Sequence, residues 1–229
     1  MSILVVGSVG LDSVETPAGK VENALGGSAI YFSTAASFFW DSIRLVAVVG
    51  EDFPQEHVKF LESRGINIEG LERVQGEETF RWGGCYTDDL NSAVTLFTDL
   101  NVYGNFQPKL PDSYRDTPYV FLANINPELQ FNVLEQVTDP KLVVCDTMNL
   151  WINNSREALM QTLRKVDILI LNDGEARLLT REHNLICAAK QILAYGPGHV
   201  IIKKGEHGAI SLTASTFFSV AAQMCHKGE

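Results

Sequence analysis

Short apolar runs recur along this chain, and most are followed by a stretch with helical spacing. The runs are "ILVVGSV", "IRLVAVVG", "YVFLANI", "KLVVCD", "DILILN" and "HVIIKKG". A strand with Val, Ile and Leu on both faces must be covered from both sides, which is the situation of a parallel sheet. The intervening segments "AIYFSTAASFF", "FPQEHVKFLESRG", "PELQFNVLEQV", "SREALMQTLRKV", "GEARLLT" and "LICAAKQILAYG" supply the cover. Alternation of this kind implies right-handed crossovers and helices on both sheet faces. The predicted fold is therefore α/β, a doubly wound, mostly parallel sheet, with "INIEGL" and "GAISLT" as further strands. At 229 residues the chain is long enough for one large core.

Two places break the alternation. After the first strand, "DSVETPAGKVENAL" reads as two short strands about a Pro-Ala-Gly turn. The stretch from Leu71 to about Tyr103 is rich in Thr, aromatic and β-branched residues, with Gly and Asp-Asp-Leu-Asn turns, and reads as antiparallel strands. The expectation is one domain over residues 1–229 with β insertions at about 11–24 and 71–104. Packed together, these would form a small β lid over the carboxyl ends of the core strands, where sheets of this type bind ligands.

Charge narrows the partners. With 18 Lys and Arg against 28 Asp and Glu, the formal charge is −10, and no basic stripe is present. Nucleic-acid binding needs clustered cations, so no nucleic-acid partner is expected. A small phosphorylated ligand remains compatible, because helix N-termini and loop amides hold phosphate without net positive charge. Cys85, Cys145, Cys187 and Cys225 form no C-x-x-C pair, which argues against zinc or a disulfide framework and for reduced cytosolic thiols. "MSILVVGSVGLD" has neither a basic leader nor a span-length apolar run, so a cytoplasmic protein with no membrane partner is expected. His57, His183, His199, His207 and His226 show no metal-ligand spacing, and there is no G-x-S-x-G elbow.

The residues that could carry chemistry cluster after strands, and each has two readings. Asp12 in "GSVGLD" could accept ligand hydroxyls, or simply bond its own turn. Gly26 and Gly27 in "ALGGSAIYFS" precede a helix with Ser28 as expected N-cap. They could let backbone approach a ligand, or only shape a tight turn. Asn172 and Glu175 in "LILNDGEARLL" occupy N-cap and N3 positions and so fit a capping box, with a Glu aimed at a water-bound magnesium as the functional alternative. Gly205 and Gly208 in "IIKKGEHGAISL" suit a plain hairpin turn. Asn124, Asn126, Asp146 and Asn149 end two more strands, as a polyhydroxy ligand would require and as loop starts also favour. The G-x-x-G near the N-terminus is not a G-x-G-x-x-G fingerprint, which disfavours a nicotinamide enzyme.

The order of these motifs is more specific than any one of them. An Asp after the first strand, a Gly-Gly helix start, "VVGEDFP", a β lid, "DTMNLW", an N-x-x-E helix start and "KKGEHGA" together resemble the PfkB family of carbohydrate kinases, with its ribokinase-like fold, over residues 3 to about 220. The resemblance implies ATP-dependent phosphorylation of a hydroxymethyl group of a sugar or nucleoside, with ATP and magnesium as cofactors. It implies that Asp12, Gly26, Gly27 and Asn124 meet the substrate. Asn172, Glu175, Lys203, Gly205 and Gly208 would meet the nucleotide, with Glu175 serving magnesium through water. A small molecule is the implied partner, and a homodimer stays open.

The sequence departs from the family pattern twice. An Asn often follows the Gly-Gly pair and bonds the sugar; Tyr31 stands at about that place, so the acceptor need not be ribose. The family's D-x-x-G-A-G-D segment, whose Asp is the base and whose amides face the phosphate, does not occur among these 229 residues. The expectation is that no catalytic base lies within them, that the domain is incomplete, and that the chain is inactive in transfer. The alternative is a non-catalytic sugar- or nucleotide-binding protein.

Overall fold

A computed structural model describes residues 1–86 and 93–223, and the chain divides into two compact units, Met1–Ile125 with Asn132–Lys141 and Asn126–Phe131 with Leu142–Glu229. The Asp-Asp-Leu-Asn turn expected at 88–91, and Cys225 and His226, lie outside the described residues.

In the first unit β1 (Ile3–Val6) leads into a hairpin of β2 (Gly10–Thr16) and β3 (Gly19–Gly26), and only then into α1 (Ser28–Ala36). There follow β4 (Ile43–Gly50), α2 (Gln55–Ser63), β5 (Ile66–Val74), β6 (Arg81–Tyr86), β7 (Ala93–Asp99) and β8 (Tyr119–Leu122). Helix α3 (Pro127–Gln136) is divided between the two units. The second unit continues with β9 (Leu142–Asp146), α4 (Asn149–Asn154), α5 (Arg156–Leu163), β10 (Ile168–Asn172), α6 (Asp173–Thr180), α7 (Leu185–Leu193), β11 (His199–Lys203), β12 (Ala209–Thr213) and β13 (Phe217–Val220).

The α/β strands run β5-β4-β1-β8 in the first unit and β9-β10-β11-β12-β13 in the second. The paired strands are parallel from β5 to β8 and from β9 to β11. β12 and β13 are antiparallel additions. Burial follows the double-sided pattern the apolar runs require: Leu4, Val5 and Val6 are fully buried, as are Leu45, Ala47 and Val49. Each such side chain contributes about 1.5–3 kcal/mol relative to exposure. Phe32 of α1 stacks on Phe121 of β8 at 3.6 Å between ring centroids, fixing the helix to the sheet face.

Four strands form a second sheet, in the order β3-β2-β6-β7. Both inserted segments therefore meet in one layer. The sheet is mixed, because each segment is an antiparallel pair but β2 and β6 run parallel where they join. The second insertion begins later than expected. Residues 71–74 complete β5 and pair with Ala47, Val48, Val49 and Gly50 in the core sheet, and residues 101–105 are a 3-10 turn.

Both roots of this small sheet are tied to carboxyl ends of core strands. At one root, Ser8, just past β1, receives the Ser28 amide on its hydroxyl at 2.9 Å and the Ala29 amide on its carbonyl at 3.1 Å. At the other, the buried Thr79 hydroxyl accepts from the Gly50 amide at 3.0 Å and donates to Asp52 at 2.7 Å. Asp52 also accepts from the Thr79 amide at 2.7 Å and from Arg81 at 2.6 Å. Burial alone would raise the Asp52 pKa, but the Thr79 bonds and the Arg81 charge hold it below the usual value. The lid is thus anchored by hydrogen bonds at the ends of β1 and β4.

Candidate functional site

Each unit carries one polar site at the carboxyl ends of its strands. In the first, Asp12 stands in β2 and is only 7% exposed. Its carboxylate accepts from the Gly27 amide and from the Tyr31 hydroxyl at 3.3 Å. Gly26 makes this possible: a Cβ there would lie 2.0 Å from Asp12 Oδ2, so the carboxyl group occupies the space a side chain would need. Gly27 has φ of 101°, and a Cβ on it would meet the Ser8 carbonyl at 2.4 Å. The glycine pair is needed by this geometry and is more than a flexible turn.

Among the described residues, no cation pairs with Asp12. Burial raises its pKa first, and the Tyr31 and Gly27 hydrogen bonds lower it by less. Tyr31 is 61% exposed overall, yet its phenol is pushed up to about 12 by desolvation and by the Asp12 charge. A buried carboxylate with two donors and spare acceptor positions can take further hydroxyl groups. Asn124, past the end of β8, comes to the same helix start: its carbonyl accepts from the Ser28 hydroxyl at 3.1 Å. Ser28 is therefore not the N-cap expected from sequence. Gly27 is the cap residue, without a side-chain cap bond, and Ser8 supplies the capping oxygens instead.

The second site combines the ends of β9, β10 and β11. Asn172 and Glu175 form a full capping box on α6: the Glu175 amide donates to Asn172 Oδ1 at 2.8 Å, and the Asn172 amide donates to Glu175 Oε2 at 2.7 Å. The carboxylate so placed is under electrostatic stress. Glu175 is pushed up to about 6, by burial first and then by the nearby charges of Asp146 and Asp173, against the Asn172 bond and Lys203. Asp146 is also raised, by burial, with Lys203 and the Thr147 amide opposing. Lys203 is the register partner of Asn172 across β10 and β11, which places its cation among these acids. Gly205 (φ 55°) and Gly208 (φ 79°) bound a 3-10 turn just beyond, closed by the Lys204 amide on the Gly208 carbonyl at 2.7 Å. A Cβ on Gly208 would meet the Val220 carbonyl at 1.9 Å.

This cluster fits a magnesium-bearing phosphate ligand. The Thr147 hydroxyl, 3% exposed, has no hydrogen-bond partner, and two raised carboxylates beside one lysine lack positive charge. No group of three or more His, Cys, Asp or Glu that could cage a metal occurs among the described residues. Mg²⁺ is ordinarily held by one or two carboxylates together with water and substrate phosphates, so a cage is not needed. Asn126 serves locally, its side chain accepting from the Glu128 amide at 3.0 Å. Asn149 begins α4, a helix not read from the sequence, and its side chain accepts from the Leu150 amide at 2.9 Å. Sequence reasoning offered Asp146 as one of several strand-end residues for a polyhydroxy ligand; its share in the acid cluster needed the sheet order to be seen.

A lidded, buried carboxylate and an acid-lysine cluster at a helix start suit an α/β phosphotransferase. The pfkB family carbohydrate kinases match residues 2–227, and the chain belongs to that family of ATP-dependent kinases. It is 25% identical over 213 residues to a cytidine kinase of Thermococcus kodakarensis, covering 92% of this chain and 75% of that one. Its fold is similar to the nucleoside kinase of Methanocaldococcus jannaschii, with TM-score 0.77, 19% identity, and 99% and 78% of the two chains covered. It is also similar to a provisionally assigned ribokinase II of E. coli in complex with ATP and Mg²⁺, with TM-score 0.79, 17% identity, and 98% and 79% covered. No helix among the described residues is long and apolar enough to cross a membrane.

Proposed function

We propose that the acceptor site of this family member is built for a nucleoside and its donor site for ATP with Mg²⁺. The observation that carries the proposal is Asp12: a buried carboxylate, set over a glycine that leaves it room, with acceptor positions to spare and no cation among the described residues paired with it. Ribose hydroxyls would complete its hydrogen bonding, and each charge-assisted bond is worth about 1.5–3 kcal/mol. The Gly26 and Gly27 backbone would lie against the sugar, with Asn124 beside it. The names of the cytidine and nucleoside kinases favour nucleoside over free sugar, and Tyr31 in place of an Asn supports an acceptor other than ribose itself.

In the acid cluster, Lys203 would neutralise phosphate oxygens, and Asn172 and Glu175 would hold the water shell of the metal from the start of α6. Gly205 and Gly208 would let backbone run close along the nucleotide. Bound Mg²⁺ supplies charge neutralisation on the phosphates. Phosphoryl transfer is mostly positioning and electrostatics, so the base and the glycine-rich helix start of the family pattern matter beside these residues. The reading includes the expectation that the 229-residue polypeptide holds its ligands without transferring phosphate.

The test offers the purified protein cytidine, other nucleosides, ribose and fructose, first by calorimetry and then with labelled ATP and Mg²⁺. Nucleoside binding with no labelled product is the expected result. Binding of sugars alone would remove the nucleoside reading, and labelled product would show that a base lies within these residues.

A further inference from the structure

We propose that Gln130 of α3 is a positioning residue for the donor site: its side-chain amide fixes the peptide between Asp146 and Thr147 and so aims the Asp146 carboxylate into the acid cluster. The inference rests on the reading of that cluster as the site for Mg²⁺ and phosphate, and names a residue outside the cluster on which it depends.

Gln130 stands where an apolar side chain belongs. It lies one turn before Val133 on the inner side of α3, and both are fully buried. A primary amide in such a place costs free energy unless its polar atoms are paired. Both ends are paired here. Nε2 donates to the Asp146 carbonyl at 2.9 Å, and the Cys145 thiol donates to Oε1 at 3.5 Å. A backbone carbonyl only accepts, so the NH₂ end of the amide must face Asp146. The helix that carries Gln130 is itself held at its first turn, where the buried Thr162 hydroxyl of α5 donates to the Pro127 carbonyl at 3.0 Å.

The bond acts through the planarity of the peptide. The carbonyl of Asp146 and the amide of Thr147 belong to one rigid plane and point in opposite directions. With the carbonyl held by Gln130, the amide is presented on the other side, where it donates to the Asp146 carboxylate. Strand pairing does not do this job. Asp146 is the last residue of β9, and the ladder with β10 ends at its pairing with Ile170. The same peptide leads into Thr147, whose buried hydroxyl has no partner. The carboxylate so aimed acts on Glu175 and on the Lys203 cation. A hydrocarbon at position 130 would leave the Asp146 carbonyl with only the Cys145 thiol at 3.4 Å, a weak donor, and the peptide would be free to turn.

The experiment measures binding of a non-hydrolysable ATP analogue by calorimetry, once with Mg²⁺ and once with EDTA, in wild type, Gln130→Met, Gln130→Glu and Thr162→Val. Gln130→Met keeps the length and loses the donor, and Gln130→Glu sets an oxygen against the Asp146 carbonyl. Thr162→Val loosens the start of α3 and leaves Gln130 in place. Both Gln130 variants should weaken binding with Mg²⁺ by about tenfold and binding in EDTA by less than about twofold, the scale for residues that orient a metal site from outside it. Hydrogen exchange at the Thr147 amide should rise in both. Thr162→Val should lower the melting temperature and leave the ratio of the two affinities unchanged, which separates positioning from stability. If Gln130→Met does not fold, Gln130→Glu decides. Equal losses with Mg²⁺ and with EDTA, or an unchanged ratio, would overturn the role of Gln130 while leaving the donor-site reading intact. The same change of ratio in Thr162→Val would trace the effect to α3 as a whole and overturn it too. Wild-type protein that does not bind the analogue, or binds it equally with and without Mg²⁺, would remove the donor-site reading and this inference with it.

Discussion

Replacing Glu175 by Gln should make the protein more stable at neutral pH and should cancel a pH dependence that the wild type shows. Gln also serves at the N3 position of a capping box, so its side-chain oxygen can still accept from the Asn172 amide, and the substitution removes chiefly the charge. Burial and the acids Asp146 and Asp173 raise Glu175 from 4.5 to about 6. A carboxyl group raised on folding favours the native state while protonated. Its contribution is fully present below pH 4.5 and is lost as the pH climbs through about 6. A rise of that size corresponds to at most about 2 kcal/mol, and solvent reaching part of the carboxylate reduces it. In a chain of this length, about 1–2 kcal/mol moves the melting temperature by roughly 2–8 °C. Removing Glu175 also relieves Asp146, so the two acids titrate as a pair and the effects share a sign. The assay is urea denaturation of both proteins from pH 4.5 to 7.5. The expected outcome is near coincidence at the acid end and a growing advantage for Glu175→Gln above pH 6. Mg²⁺ with an ATP analogue should then stabilise the wild type more than the variant. Parallel pH profiles, or a less stable variant at pH 7, would refute the reasoning.

Gly26→Ala would drive a methyl group into the Asp12 carboxyl, and overpacking of this kind costs about 1–3 kcal/mol in urea denaturation, with loss of nucleoside binding in calorimetry. Thr79→Val would leave the buried Gly50 amide without its acceptor and remove the hydroxyl donor to Asp52, while the amide of residue 79 keeps its bond to that carboxylate. A loss of about 2–3 kcal/mol and faster hydrogen exchange at the Gly50 amide are expected. Gly208→Ala, at φ 79° and against the Val220 carbonyl, should release β13 from β12. Hydrogen exchange would then rise at Ser219 and Phe217, with exchange in β1 and β4 unchanged.

The parallel core was legible because strands buried on both faces leave continuous apolar runs, and "ILVV" and "ILIL" admit few other readings. The lid was legible as an interruption of that rhythm. Its second boundary was not: "LERV" has the same composition whether it extends β5 or starts a hairpin, and only pairing with β4 decides. At the candidate sites, the capping box at Asn172 and Glu175 was visible as local spacing, whereas two of the charges acting on Glu175, those of Asp146 and Lys203, come from β9 and β11. Ser28 looked like a cap because it precedes an apolar helix, but Ser8, 20 residues earlier, holds that position from the end of β1.

The central claim is that Asp12 is built to hold ligand hydroxyls and not to hold the fold. Calorimetric titration of cytidine into wild type and Asp12→Asn, with melting curves of both, measures this directly. The account predicts a melting temperature at pH 7 that is unchanged or slightly higher in the variant, since burial already works against the charge. It predicts binding weaker by about 1.5–3 kcal/mol. Equal affinity in the two proteins, or a large drop in melting temperature with binding preserved, would contradict it.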